Sequence, residues 1–147
     1  MIRRLIHLYW RMARGMTLGV RGVVLRGDEV LLVRHGYTPG WHLPGGGVEP
    51  GESFVEALKK EMLEEGGVTL TGTPQWHGIF QNLNASARDH VAVYVVREFD
   101  YDGPPAPNYE IRESRFFALD KLPDDTTGAT RRRLAEIAQG TPPPQQW

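Results

Sequence analysis

Gly45 to Val68 reads GGGVEPGESFVEALKKEMLEEGGV, a glycine run that passes into a short helix crowded with carboxylates. Ser53 followed three residues later by Glu56 is a capping box, which sets the start of the helix at Ser53. Gly66-Gly67 ends it, since glycine accepts the backbone conformation that closes a helix. Phe54, Leu58 and Met62 recur every fourth residue and form the face expected against a sheet, with Ala57 beside them. Glu61, Glu64 and Glu65 stand at i, i+3 and i+4, so their carboxylates gather on another face in the last turns.

That gathering is unfavourable in isolation. Each like-charge pair at this spacing costs a few tenths of a kcal/mol. The negative end of the helix dipole adds roughly 0.3–1 kcal/mol per charge. Lys59 and Lys60 offset part of this. A divalent cation offsets more, and ligands that are all oxygen suit Mg²⁺ or Mn²⁺. An ordinary solvated acidic helix end is the other reading, and the helix alone leaves both open. The preceding loop favours the first. Gly45, Gly46 and Gly47 let backbone groups approach a ligand closely, and Glu49 and Glu52 add carboxylates in the same window.

On the N-terminal side, Thr17–Arg26 (TLGVRGVVLR) and Glu29–His35 (EVLLVRH) read as strands covered on both faces, joined by a Gly27-Asp28 turn. On the C-terminal side, Val68–Leu70, Trp76–Asn82, His90–Phe99 and Glu113–Leu119 read as extended. The segment from Asp100 to Asn108 (DYDGPPAPN) reads as a proline-rich loop, and Thr127–Gln139 as a closing helix. Strands interleaved with helices give an α/β layered fold with a mixed sheet. Residues 1–16 are expected to form an amphipathic helix and its connection, residues 17–139 a single domain, and residues 140–147 (GTPPPQQW) a disordered Pro/Gln-rich tail.

The run from Gly46 to Val68 resembles the signature of the Nudix hydrolases. That signature is Gly, five residues, Glu, seven residues, Arg-Glu, an aliphatic residue, any residue, Glu-Glu, any residue, Gly and an aliphatic residue. Gly46, Glu52, Glu61, Met62, Glu64, Glu65, Gly67 and Val68 occupy its defined positions, and Lys60 stands where the family has Arg. The LLVRH strand, the W-x-LPGGG approach and the late LDKLP run are similar to Nudix domains as well. The resemblance covers roughly Thr17 to Gln139. It implies an α/β/α sandwich with a central mixed β-sheet, and a metal-dependent enzyme. Such an enzyme cleaves a phosphoanhydride bond in a nucleoside diphosphate linked to another moiety, NDP-X.

By position, the resemblance makes Glu61 and Glu65 the principal ligands of Mg²⁺ or Mn²⁺. Glu64 ligates directly or through water, and the Gly45 carbonyl completes the set. Glu52 supports the basic residue of the box, so Lys60 is expected to pair with it, less rigidly than a planar Arg fork would. Glu110, ahead of the last strand, is the candidate extra glutamate, with a surface carboxylate as the alternative. Gly46 lies where substrate is expected, and Trp41, Tyr37, Phe80 and His42 are candidates to stack on it, with simple packing as the competing role. His35 and His90 are expected to make ordinary hydrogen bonds at strand ends.

The 147 residues suffice for a core without disulfides or structural metal. The absence of cysteine excludes thiolate chemistry and Cys-based zinc sites, and a cytoplasmic setting is expected. A formal net charge of −1 gives no global case for nucleic-acid binding. Two further readings stand beside the hydrolase. A nucleotide sensor with little activity rests on Lys60. An RNA-end pyrophosphohydrolase rests on Arg131-Arg132-Arg133, whose plainer reading is a solvated helix face. The helix over residues 1–14 carries Arg3, Arg4, Arg11 and Arg14 and no acid. An anionic membrane surface fits it. Packing on the domain, or on a second subunit in a homodimer, is preferred, and a membrane partner is not expected.

Overall fold

The computed structural model describes residues 2–147. The elements, in order, are α1 (Ile2–Ala13), β1 (Thr17–Arg26), β2 (Glu29–His35), β3 (Trp41–His42), β4 (Gly45–Gly47), α2 (Phe54–Gly66), β5 (Val68–Leu70), β6 (Gln75–Gln81), β7 (Asp89–Val96), β8 (Phe99–Tyr101), β9 (Ile111–Ala118) and α3 (Gly128–Gln139). Strand β1 is central. It runs parallel to β7 and antiparallel to β2 and β4, while β6 pairs with β7, and β3 and β9 pair with β2. The sheet is therefore mixed, as expected. A separate two-stranded ribbon joins β5 to β8, so Asp100 and Tyr101 continue a strand, and the proline-rich loop begins after them.

Side chains alternate along β1 and sort into two cores. Val20 and Val24 pack with Leu31, Leu58, Met62, Ala92 and Val96 under α2. Val23 and Leu25 pack with Leu32, Leu43, Val93 and Leu134 under α3. Gly22 lies between Val20 and Val24, and a Cβ there would meet Met62 Sδ at 2.5 Å. The absent side chain lets α2 lie close on the sheet. This two-sided burial produces the near-continuous apolar runs of β1, β2 and β7.

Helix α2 begins as its sequence requires. Ser53 Oγ accepts from Glu56 N, and the Glu56 carboxylate accepts from Ser53 N. Gly67, at φ 64°, closes the C-terminus.

Three expectations are corrected. The Pro/Gln tail is attached to β6: Gln81 N donates to Gln145 O, Trp147 N donates to Gln81 O, and the Trp147 ring packs on Phe80. Arg133 is not on a solvated face. It is fully buried, with its guanidinium 4.0 Å from the Phe80 ring centre and its Nε bonded to Glu136. Helix α1 does not pack on its own domain, because none of its residues is buried. Met1 lies outside the described residues.

Candidate active site

Helix α2 and strand β4 come together at one end of the sheet. Gly45 N donates to Glu65 Oε2 at 2.8 Å, fixing a carboxylate that is only 6% exposed. Gly45 has φ 149°, and a Cβ on it would collide with the Val20 carbonyl. A Cβ on Gly46 would stand 2.5 Å from the Glu61 carboxyl carbon. The glycine run is thus the space into which the two carboxylates are pressed. Beside them lies a pocket of about 500 Å³, whose lining includes Arg21, His35, Tyr37, His42, Glu61, Glu65 and Glu110.

The electrostatics follow from that crowding. Burial pushes the Glu65 carboxyl up to about 7; the Gly45 N–H and Arg21 pull it down, while Glu61 and Glu110 push it further up. Burial also raises Glu61, helped by Glu64, against the pull of Lys60 and Arg21. Burial depresses His35 to about 4, with His42 and Arg21 acting in the same direction, so its ring is neutral at pH 7. His42 is lowered as well, first by burial, and its Nε2 lies 2.9 Å from Pro39 O. Its ring meets that of His35 edge-on at 5.3 Å.

Below this floor, Lys60 Nζ donates to Glu52 Oε1 at 2.8 Å, and Glu52 Oε2 accepts from Glu49 N. Lys60 therefore makes the contact expected of it and ties the loop to the helix. Among the described residues, no three His, Cys, Asp or Glu side chains gather as a ready metal cage. Glu61 and Glu65 converge on the pocket together with Glu110, whereas Glu64 is exposed and lies outside its lining. Two crowded, partly desolvated carboxylates raised toward neutral pH are the donor set a divalent cation would satisfy.

Two candidate stacking residues are corrected. Trp41 is 4% exposed, packed edge-on against Phe117, and Phe80 is fully buried under Arg133, so neither offers a face to a ligand. Tyr37, 69% exposed on the pocket rim, does. Arg21 was not singled out by sequence reasoning. Its signal was an arginine inside a strand that is otherwise apolar on both faces. It lines the main pocket and also a second chamber of about 220 Å³. The chambers share Arg21, His42 and Val91, and the second adds Leu43, Asn82, Asn84, Thr127, Thr130 and Trp147. Asn82 Oδ1 is buried there without a hydrogen-bond partner.

The NUDIX domain family model matches residues 16–136. This chain belongs to the Nudix family. The Nudix domain is 31% identical over 105 residues to the "Oxidized purine nucleoside triphosphate hydrolase" of Danio rerio, covering 69% of this chain and 65% of that protein. It is 40% identical over 96 residues to the "Diphosphoinositol polyphosphate phosphohydrolase 2" of Rattus norvegicus, covering 65% of this chain and 53% of that one. The chain thus spans between half and two thirds of the length of these two relatives. Among solved structures, a MutT NUDIX hydrolase from Burkholderia pseudomallei superposes with a TM-score of 0.70 at 26% identity, covering 82% of this Nudix chain and 97% of that one. The α/β fold with a mixed central sheet and flanking helices is that of these structural neighbours.

Proposed function

We propose that the chain is a metal-dependent hydrolase that cleaves a phosphoanhydride bond in an NDP-X substrate. The observation that carries this reading is the convergence of Glu61 and Glu65 on the Gly45–Gly47 run beside a pocket that also contains Arg21. A site for a cation and a fixed positive charge for phosphate oxygens then lie in one cavity.

Glu61 and Glu65 would hold Mg²⁺ or Mn²⁺, with Gly45 and Glu110 lining the same cavity and Glu64 adding charge from the exposed turn. When bound, such an ion neutralises charge on the pyrophosphate and favours attack by water. The protein does the rest. Arg21, which lines both chambers, pairs with phosphate oxygens and orients the phosphates in the chamber that holds Glu61 and Glu65. Glu52 and Lys60 brace the loop. In the hydrolytic step, a water oxygen bonds to phosphorus, its proton passes to a pocket carboxylate, and the bridging P–O bond breaks to release the leaving phosphate. Two carboxylates outside the box line this pocket: Asp89 is bonded to Thr17 and Asn82, and Glu110 is open to solvent, so Glu110 is assigned the proton. Tyr37 covers the rim beside the His35 ring, and Gly46 lines the same pocket.

Beyond Arg21 and His42, the second chamber is lined by amide and hydroxyl side chains with Leu43, Val91 and Trp147, and it suits a ring system that carries hydrogen-bonding groups, such as a base or sugar. The two relatives are named for different substrates, and we assign the choice of substrate group in this chain to this chamber. Neither alternative function has a structural observation in its favour. Lys60 makes the brace whose loss the sensor reading needed, and Arg131, Arg132 and Arg133 bond to the protein itself.

A panel of NDP-X compounds, incubated with Mg²⁺ or Mn²⁺ and with a chelator, tests the reading by mass identification of products. Metal-dependent release of two phosphate-bearing or phosphate-terminated products is expected from at least one substrate. Binding without cleavage across the panel would establish a sensor instead.

A further inference from the structure

Helix α1 buries none of its residues on its own domain, and Ile2, Leu5, Leu8, Tyr9 and Met12 are between 51% and 74% exposed. The exposed surface is ordered by type. At about 100° per residue, the basic side chains Arg3, Arg4, His7, Arg11 and Arg14 fall in one continuous arc of roughly 100°. The apolar side chains fill the remaining arc of roughly 200° without interruption. Trp10 stands at the boundary, with the Arg14 guanidinium 5.3 Å from its ring centre and the His7 ring edge-on at 5.9 Å.

We infer that α1 lies on an anionic lipid surface, with its apolar arc among the acyl chains and its arginines among the headgroups. The charge pattern selects this occupant. The helix and the adjoining Arg14 together have four arginines and no acid, whereas the rest of the chain has 13 basic residues, the 17 less those four, against 18 acidic ones. Two copies of α1 face to face would join their apolar arcs but leave the arginines on the outer faces with no carboxylate to pair with. The acidic body that a second copy would present is already tethered to α1 through Gly15 and Met16, and α1 does not settle on it. A lipid interface accepts a wide apolar arc, rewards uncompensated arginine, and favours Trp and Tyr at the boundary. No described helix is long and apolar enough to cross a membrane, so the association is one of lying on the surface.

The test uses the full chain sedimented with vesicles of phosphatidylcholine alone or of phosphatidylcholine with phosphatidylserine. Binding to the anionic vesicles, released by added salt and much weaker without phosphatidylserine, is expected. Arg3→Glu/Arg4→Glu/Arg11→Glu should lower the partition coefficient by at least about 100-fold. Leu5→Glu/Tyr9→Glu should abolish binding by removing the apolar face. Because α1 buries nothing, both variants should keep the wild-type melting midpoint. No binding to anionic vesicles, or binding that neither variant weakens, would overturn the inference. A dimer in sedimentation equilibrium that Leu5→Glu/Tyr9→Glu dissolves would also overturn it, by showing that a second copy covers the face.

Discussion

Glu65 concentrates the cost and the use of this site in a single side chain. Its carboxyl is raised from 4.5 to about 7, mainly by burial. The sign of the consequence follows from linkage. Below pH 4.5 both folded and unfolded chains carry the proton, and Glu65 contributes nothing. As pH rises toward 7 the unfolded chain ionises freely while the folded one resists, so stability falls. Above 7 the loss is complete, roughly 3 kcal/mol. Metal-free Glu65→Gln should therefore be more stable than wild type at pH 8 and no more stable at pH 4, as measured by urea unfolding at both pH values. The same substitution, like Glu61→Gln, should lower kcat by about 1,000-fold with metal present. A residue that stabilises the empty protein when neutralised and abolishes turnover is one held for function.

Lys60 bears on the loop rather than on the reacting atoms. Lys60→Ala should cost roughly 10-fold in activity through a loosened Glu52 and Glu49, and Lys60→Arg should retain or improve it. Steady-state rates at saturating metal, together with metal titrations of each variant, check this.

At the scale of elements, the legibility of the sequence tracks how local each cause is. The capping box and the two glycines place α2 within a residue at either end, because both signals act within one helical turn. The β1–β2 hairpin is legible for the same reason, with Arg26 opposite Glu29 across Gly27-Asp28. Short β8 was hidden because its pairing depends on β5, about thirty residues earlier in the chain, and a proline-rich stretch begins just after it. The tail was misread because Pro and Gln give it a disordered composition, while its order comes from one strand partner and one indole. Arg133 was misread because nothing local marks a buried arginine; its partners are Glu136 on the same helix and aromatic faces on β6 and in the tail. Spacing alone gathers Glu61, Glu64 and Glu65 on one face of α2, and the resemblance to the Nudix signature is what names them as candidate ligands. Arg21, His35 and the second chamber were not legible in this way, since they meet only when β1, β2 and α3 are assembled.

Trp147 gives the element scale its prediction. It forms part of the second chamber and reaches it only because Gln81 holds the tail as a further extended segment beside β6. Trp147→Ala should raise KM for the preferred substrate roughly tenfold with little change in kcat, the magnitude expected for a lost aromatic contact to a ring. A fall in kcat with unchanged KM would place the tail outside the binding chamber.

For the whole molecule, the core under α2 and the site are coupled through that helix. One face of the helix seals the core beneath it with Leu58 and Met62, and the same turns supply Glu61 and Glu65 to the pocket. Charge accumulated at the pocket must therefore be borne by the stability of the entire domain, and a cation that relieves it should stabilise the domain as a unit. At a free ion concentration a hundredfold above Kd, the gain is about 2.7 kcal/mol. For a chain of this length that corresponds to a rise in Tm of several degrees, on the order of 5–10 °C. The effect should be larger at pH 8 than at pH 5.5, because at the lower pH protons compete for the Glu65 carboxylate. Thermal unfolding with Mg²⁺, Mn²⁺ and chelator at the two pH values measures it, and Glu61→Gln/Glu65→Gln should remove the shift. A rise that survives in the double variant would mean that the cation acts elsewhere on the acidic body, and the assignment of the α2 carboxylates as its ligands would fall.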